Sequence, residues 1–392
     1  MEAFFSTHKY LVEHVQSPVR RVLMDEIDWT HRLIGIKGSR GVGKTTFLLQ
    51  YAKDRFGTDR SCLYVNFNNF YFTEHTLVEF AGEFCKLGGK TLLLDQIFKY
   101  ENWSKELREC YDLYPELHIV FSGSSVMRLI EDNTDIQDIV ASYNLRGFSF
   151  REFLNLQSAN SFKYYSLEEI LQNHQQIAAE ICNSVHPLDY FQDYLHFGFY
   201  PFFLENRNFS ENLVKTINMM LEVDILLIKQ IELKYLSKIR KLLYLLMQSA
   251  PSAPNVSQLS TQIGVSRATI MNYIKYLKDA RLINMLYAEG DEYPKKPNLV
   301  YIQNTNLLYT IPSGMIDKKA ENKTFFYNAL HARHKVNTCK YHLDFSIDQQ
   351  YHFKCDAKVE NTKHYSKVIY ATDGIEVGSK NVIPLWLFGF LY

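Results

Sequence analysis

The chain has 392 residues, which at roughly 150 residues per domain predicts two or three domains, each long enough to bury its own core. Hydrophobic residues make up 46% and charged residues 22%, an ordinary globular balance that excludes a disordered chain or a fibre. Lys+Arg and Asp+Glu are both 43, so a binder working through whole-chain charge is excluded and any nucleic-acid surface has to be a local patch.

The opening stretch, MEAFFSTHKYLVEHVQ, carries acids early and lacks the apolar segment of a secretion signal. Residues 31 to 46 read as an apolar strand, HRLIGIKG, a glycine-rich turn, and a helix running from Lys44 toward Ala52. Further strands are expected at Cys62 to Phe67, at Thr91 to Leu94 ending on Asp95, and at His118 to Phe121 ending on Gly123-Ser124-Ser125. Helical patterns lie between them, at Leu77 to Leu87 and Trp103 to Tyr111. Such alternation predicts a parallel sheet covered on both faces. After about residue 150 it stops. Residues 151 to 247 are mostly helical in pattern, with a bend at Gly198 to Pro201, and Ala250 to Asn255 (APSAPN) is a proline-marked loop. Residues 256 to 290 read helix, turn, helix, short strand, and short β-rich runs follow from Leu299, such as LVYI, YHLDFSI and YHFKC. The most apolar stretch, Val382 to Tyr392, is too short for the roughly 18 residues of a membrane span and reads as a buried final strand. Six cysteines without a C-x-x-C pair argue against a zinc module or a disulfide framework and favour the cytoplasm.

Gly38-Ser39-Arg40-Gly41-Val42-Gly43-Lys44-Thr45 matches G-x-x-x-x-G-K-[ST] at every fixed position, and these residues together with Thr46 are expected to bind the nucleotide. Glycines let consecutive backbone N–H groups close around phosphate oxygens, and the helix N-terminus adds its partial positive charge. Lys44 is expected to reach the β- and γ-phosphates of ATP and Thr45 to hold Mg²⁺. Such a loop needs an acid at the end of a neighbouring strand for the Mg²⁺ shell, and Leu92-Leu93-Leu94-Asp95 supplies it.

These residues resemble a family. The loop GSRGVGKTTFLLQ is similar to that of prokaryotic AAA-type ATPases carrying a restriction-endonuclease-like tail. So are LLLDQIFKYENWSKELRECYD, IVFSGSS, YNLRGFSFREFL, FGFYPFFLE, GVSRATIMNYIKYLKDARLI, KPNLVYIQNTNLLYT and the closing IPLWLFGFLY. The resemblance covers nearly the whole chain. It implies an α/β P-loop core over 1–150, a helical lid or linker over 151–235, a winged helix over 236–292 and a degenerate nuclease-like α+β domain over 293–392.

Two departures bear on catalysis. The family usually reads Asp-Glu where this chain has Asp95-Gln96. A neutral amide holds a water but cannot take its proton, and losing a general base costs about 10²- to 10⁴-fold. Where the family commonly carries a pair of arginines, this chain has Asp135-Ile136-Gln137-Asp138-Ile139, and a missing arginine finger costs about 10³- to 10⁵-fold. Arg40, Arg128 and Arg146 are alternative sources of that charge. Ser124 stands where such folds place a polar sensor, and a helix N-cap is the competing reading.

Toward the C-terminus, Gln258 to Ile263, Gly264, and Ser266 to Lys278 have helix-turn-helix spacing, with Ile270, Ile274 and Leu277 on one face. Arg267, Asn272, Lys275 and Lys278 are then expected to point outward, toward double-stranded DNA. Between Lys238 and Leu286 seven Lys/Arg face one acid, Asp279, the footprint of a phosphate-contacting surface. In the tail, Asp344 followed by Asp356-Ala357-Lys358 formally fits the acid, then acid-x-Lys, of a Mg²⁺-dependent nuclease. The expected function is an ATP-binding switch with weak or absent hydrolysis. The alternatives are a winged-helix DNA-binding module with structural nucleotide and an ATPase gating a nuclease.

Overall fold

The computed structural model describes residues 1–127, 133–205, 208–226, 229–310, 316–339, 343–355 and 368–392. Two compact units divide the chain, Met1–Gly147 and Phe148–Tyr392.

In the first unit, α1 (Glu2–His14) and the short α2 (Leu23–Glu26) precede β1 (Leu33–Gly38) and α3 (Lys44–Arg55). Then come β2 (Cys62–Asn66), α4 (Leu77–Lys86), β3 (Thr91–Asp95), α5 (Trp103–Leu113), β4 (His118–Ser124) and β5 (Ala141–Asn144). All five strands are parallel, in the order β2-β3-β4-β1-β5. The central strands are continuous apolar runs because both faces are covered, and Leu33, Ile36, Leu92, Leu93, Leu94 and Phe121 are fully buried. A capping box starts α4, where Thr76 accepts the Glu79 N–H and the Glu79 carboxylate accepts the Thr76 N–H. The chain leaves β1 for the far edge of the sheet and works back, so β1 ends between β4 and β5. Open parallel sheets bind ligands at the carboxyl ends of their strands where the connections reverse, and the turns after β1, β3 and β4 all emerge there.

In the second unit, α6 (Phe150–Ser158), α7 (Leu167–Cys182), α8 (Leu188–Asp193), α9 (Phe209–Met219) and α10 (Leu236–Ser249) lead to α11 (Val256–Ile263) and α12 (Arg267–Asp279). The antiparallel pair β6 (Ile283–Leu286) and β7 (Leu299–Ile302) packs against α10 and α12. After the short α13 (Thr305–Leu308) and α14 (Lys318–Leu330) comes a mixed sheet of β8 (Val336–Thr338), β9 (Phe345–Ile347), β10 (Tyr351–Cys355), β11 (Val368–Thr372) and β12 (Val382–Pro384). Its order is β12-β11-β10-β9-β8, parallel from β10 to β12 and antiparallel from β8 to β10.

One hydrophobic cluster joins Phe150, Phe153 and Tyr194 to Phe326, Phe353, Trp386 and Phe390. Regions assigned from the sequence to a helical linker and to a tail therefore share a core. The expected final strand is also shorter than read: β12 stops at Pro384 and Leu385–Phe390 is a buried 3-10 helix. A continuous apolar run has no periodicity that separates strand from buried helix, and Leu385, Trp386, Leu387 and Phe388 enter the core from successive positions.

Candidate functional site

The phosphate loop joins β1 to α3. Gly41 and Gly43 have φ of 82° and 92°, a left-handed conformation that glycine adopts without a Cβ clash. Gly38 is required for space instead: a Cβ there would lie 2.4 Å from the Leu145 carbonyl oxygen. Lys44 Nζ donates to the carbonyls of Gly38 at 2.8 Å and Ser39 at 2.9 Å, so the ammonium sits within the loop's own curve. The buried Arg21 braces the loop from behind, donating to Val42 O at 3.2 Å, Arg146 O at 2.6 Å and Gly147 O at 3.1 Å. Arg21 was not legible in the sequence, because its partners on the second segment lie 125 and 126 residues away.

Asp95, 1% exposed at the end of β3, is the centre of the acid side. Its Oδ2 accepts from Thr45 Oγ1 at 2.7 Å and from the Tyr64 hydroxyl at 2.8 Å, and its Oδ1 accepts from Ser122 Oγ. Ser122 in turn accepts the Gln96 N–H at 3.0 Å. Burial beside this carboxylate pushes the Tyr64 phenol well above its ordinary pKa, so it stays a donor. Thr45 and Asp95, predicted as partners from a spacing of 50 residues, are thus in direct contact. A hydroxyl that gives its proton to a carboxylate keeps its lone pairs for a cation, and an oxygen-only pair of this kind suits Mg²⁺. Another buried hydroxyl at the same sheet edge, Ser125 Oγ, has no hydrogen-bond partner among the described residues. The loop's curvature, Lys44 and the Thr45–Asp95 hydroxyl–carboxylate pair fit a Mg²⁺-nucleotide. Beside Thr45 and Tyr64 opens a cavity of about 680 Å³, walled by Phe4, Leu11 and Tyr71.

Gln96 follows Asp95 in a left-handed conformation, φ 58°, and is half-buried. Ser124 stands opposite Gly38 in the β4–β1 register, and its hydroxyl accepts the Val126 N–H at 3.4 Å. The hydroxyl on β4 that reaches Asp95 is Ser122, two residues earlier, which sequence reading passed over. Val42 is buried, Ser39 is buried, and Arg40 and Thr46 are half-buried. Arg128 lies outside the described residues. Asp135 and Asp138, standing where the family's arginines are expected, meet α5: Asp138 pairs with Arg108 at 3.0 Å and Asp135 accepts from Ser104 at 3.0 Å.

At the helix-turn-helix, Gly264 (φ 71°) closes α11 and Ser266 caps α12 by accepting the Thr269 N–H. Ile270, Ile274 and Leu277 are fully buried. Arg267 and Asn272 are exposed, although the Asn272 side-chain Oδ1 accepts from the Tyr293 hydroxyl at 2.8 Å. Lys275 does not point outward: its side chain is 13% exposed and its ammonium lies 2.6 Å from Asp279, which one helical turn brings alongside. Lys278 is half-buried. In the tail, Asp344 accepts from the Cys355 N–H at 2.8 Å and pairs with Lys323 at 2.6 Å. Asp356 and Lys358 lie outside the described residues.

Residues 30–154 match the family described as AAA domain, and residues 188–300 match a domain of unknown function (DUF8612). With the parallel sheet and the phosphate loop, the first match defines an AAA-type P-loop domain of the nucleotide-binding class. Two uncharacterized proteins of Methanocaldococcus jannaschii, MJ1637 and MJ1544, are similar in sequence. MJ1637 is 25% identical over 274 residues, 66% of this chain and 57% of that protein. MJ1544 is 27% identical over 263 residues, 64% and 55% respectively. The chain thus spans little more than half the length of these relatives. Among solved structures, AMPPCP-bound DnaA from Aquifex aeolicus is 17% identical over 70% of this chain and 86% of that one, with a TM-score of 0.27. ORC1 of Aeropyrum pernix in complex with DNA is 12% identical over 85% and 93%, with a TM-score of 0.29. Scores of this size carry nothing about the site.

Proposed function

We propose that this chain is an ATP-dependent switch that binds Mg²⁺-ATP and hydrolyses it slowly or not at all. The contact between Thr45 and Asp95 at the mouth of the Gly38–Thr45 loop carries the reading. The loop glycines and Lys44 would cradle the phosphates, and Thr45 and Asp95 would hold Mg²⁺, which offsets charge on the phosphate oxygens when bound. Gln96, next to Asp95, would orient a water but has no basic oxygen to accept its proton. Lys44 holds negative charge without proton transfer, and Arg21 keeps the loop's curvature. With binding groups complete and the base missing, occupancy rather than turnover is the signal. We place this activity in the cytoplasm.

ATP binding and single-turnover hydrolysis, compared with Gln96→Glu, test this. The unmodified chain is expected to bind ATP and to hydrolyse it about 10²-fold or more slowly than Gln96→Glu. Ordinary turnover without the substitution would sink the switch and leave an active ATPase.

A second reading is contact with duplex DNA through a winged helix formed by α10 to α12 and the β6–β7 pair. It is favoured by the exposed Arg267 and Asn272 on the capped helix. The third reading, an ATPase gating a nuclease-like tail, rests on Asp344, Asp356 and Lys358; Asp344 pairs with Lys323 at 2.6 Å, and the other two lie outside the described residues.

A further inference from the structure

Resting on the reading of Thr45 and Asp95 as the Mg²⁺ end of the site, we propose that Tyr64 is a positioning residue for that metal. Tyr64 holds Asp95 from β2, with Ser122 holding it from β4. No motif marks Tyr64, and it lies 31 residues before Asp95. A buried phenol needs some acceptor, so a hydrogen bond alone would mean little. What distinguishes this one is its acceptor atom: Tyr64 and Thr45 share the same carboxylate oxygen, at 2.8 and 2.7 Å.

The three donors have unequal freedom. Thr45 is exposed at the loop. Tyr64 is 4% exposed and anchored at both ends, since its backbone N–H donates to Nδ1 of the buried His8 on α1 at 3.0 Å. Its strand also pairs directly with β3, with Tyr64 opposite Leu93 and Asn66 opposite Asp95. Ser122 donates to the other oxygen and accepts the Gln96 N–H. Asp95 is therefore clamped by two sheet residues, and the carboxylate plane is set before any cation arrives. Thr45 is the one donor of the three that belongs to the loop. Groups that orient metal ligands typically matter about 10- to 100-fold in metal affinity. The clamp adds no charge and touches no phosphate, so its effect falls on the metal and leaves metal-free nucleotide binding alone.

The test is the affinity for a fluorescent ATP analogue in excess Mg²⁺ and in excess EDTA, measured on the full chain and on Tyr64→Phe. The ratio of the two affinities is the gain due to metal. Tyr64→Phe is expected to keep the EDTA affinity within about twofold and to lose about tenfold of the gain. Ser122→Ala, read the same way, is expected to lower the gain as well, which keeps the clamp testable if Tyr64→Phe folds poorly. An unchanged gain in both variants overturns the proposal, as does an equal loss with and without metal, which marks a merely structural tyrosine. If the unmodified chain binds the analogue in neither buffer, the switch reading itself fails and the clamp falls with it. If it binds equally in both, Mg²⁺ is not held at Thr45 and Asp95 and the proposal fails while nucleotide binding stands.

Discussion

His8, 2% exposed on α1, accepts the Tyr64 N–H at Nδ1, so the neutral ring carries its proton on Nε2, a buried atom with no partner among the described residues. Burial lowers its pKa below the ordinary 6.5, because the charged ring would be desolvated and would lose its acceptor for Tyr64. The folded state therefore binds that proton less readily than the unfolded chain. This contribution to stability is complete above about pH 6.5 and is lost as pH falls through the folded value. Glu79, and Glu169 in another capping box with Ser166 at the start of α7, are held below the usual 4.5 by the N–H groups they accept and titrate below this window. The chain has 13 histidines, so melting temperatures at pH 7.5 and 5.5 are compared between the unmodified chain and a variant at position 8. His8→Asn offers an acceptor at the place of Nδ1 without a titrating group, and is expected to show a smaller drop at pH 5.5 than the unmodified chain. An equal drop in both would assign the acid sensitivity elsewhere.

Between α8 and α13 the second unit depends on one amide. The bend expected at Gly198 to Pro201 is a break: a π-helical turn, Tyr194–Gly198, is followed by a 3-10 helix, Pro201–Glu205. Gly198 is needed there because a Cβ would approach Phe153 within 2.8 Å and Tyr194 within 2.6 Å. The broken helix leaves backbone groups without helical partners, and the fully buried Asn306 meets three of them. Its Nδ2 donates to Tyr194 O at 3.0 Å and Leu195 O at 2.9 Å, and its Oδ1 accepts the Phe199 N–H at 2.9 Å. Asn306→Ala is expected to cost about 3 kcal/mol in denaturant unfolding, from three lost bonds and the polar groups they leave buried; a loss under about 1 kcal/mol would show that water or a local shift replaces the amide. The bend itself was legible from glycine and proline, but Asn306, more than a hundred residues on, was not. The same division runs through the first unit. Strands β1 to β4 and the helix from Lys44 announce themselves as local patterns, as do the loop residues and Asp95. Edge strand β5, with its sequence ASYN and only partial burial, does not. Tyr64, Ser122 and Arg21 are ordinary residues in the sequence, and only the register of neighbouring strands and segments gives them their partners.

For the molecule as a whole, zero formal charge means that any attraction to DNA depends on how many basic side chains one surface can offer. Seven cations counted in sequence between Lys238 and Leu286 would predict a salt slope of about −6 in log K against log salt. Folding has committed several of them. Lys238 and Lys241 donate to the carbonyls of Gly264 and Gln262, Arg240 pairs with Glu222, and Lys275 pairs with Asp279. Arg267, exposed at the start of α12, keeps its reach. Binding to a 20-base-pair duplex, followed by anisotropy across a salt series, is therefore expected to give a slope clearly shallower than about −6. Arg267→Ala should flatten it by about one, the share of a single phosphate contact, and Lys275→Ala by less. A slope near −6 would mean that the committed cations leave their carbonyls and carboxylates for phosphate. A flat response, or no binding at all, would remove DNA from the reading and leave the helix-turn-helix as a packing element of the second unit. The nucleotide switch would survive that outcome, because the residues that carry it, from Gly38 to Thr45 and Asp95, all lie within the first unit.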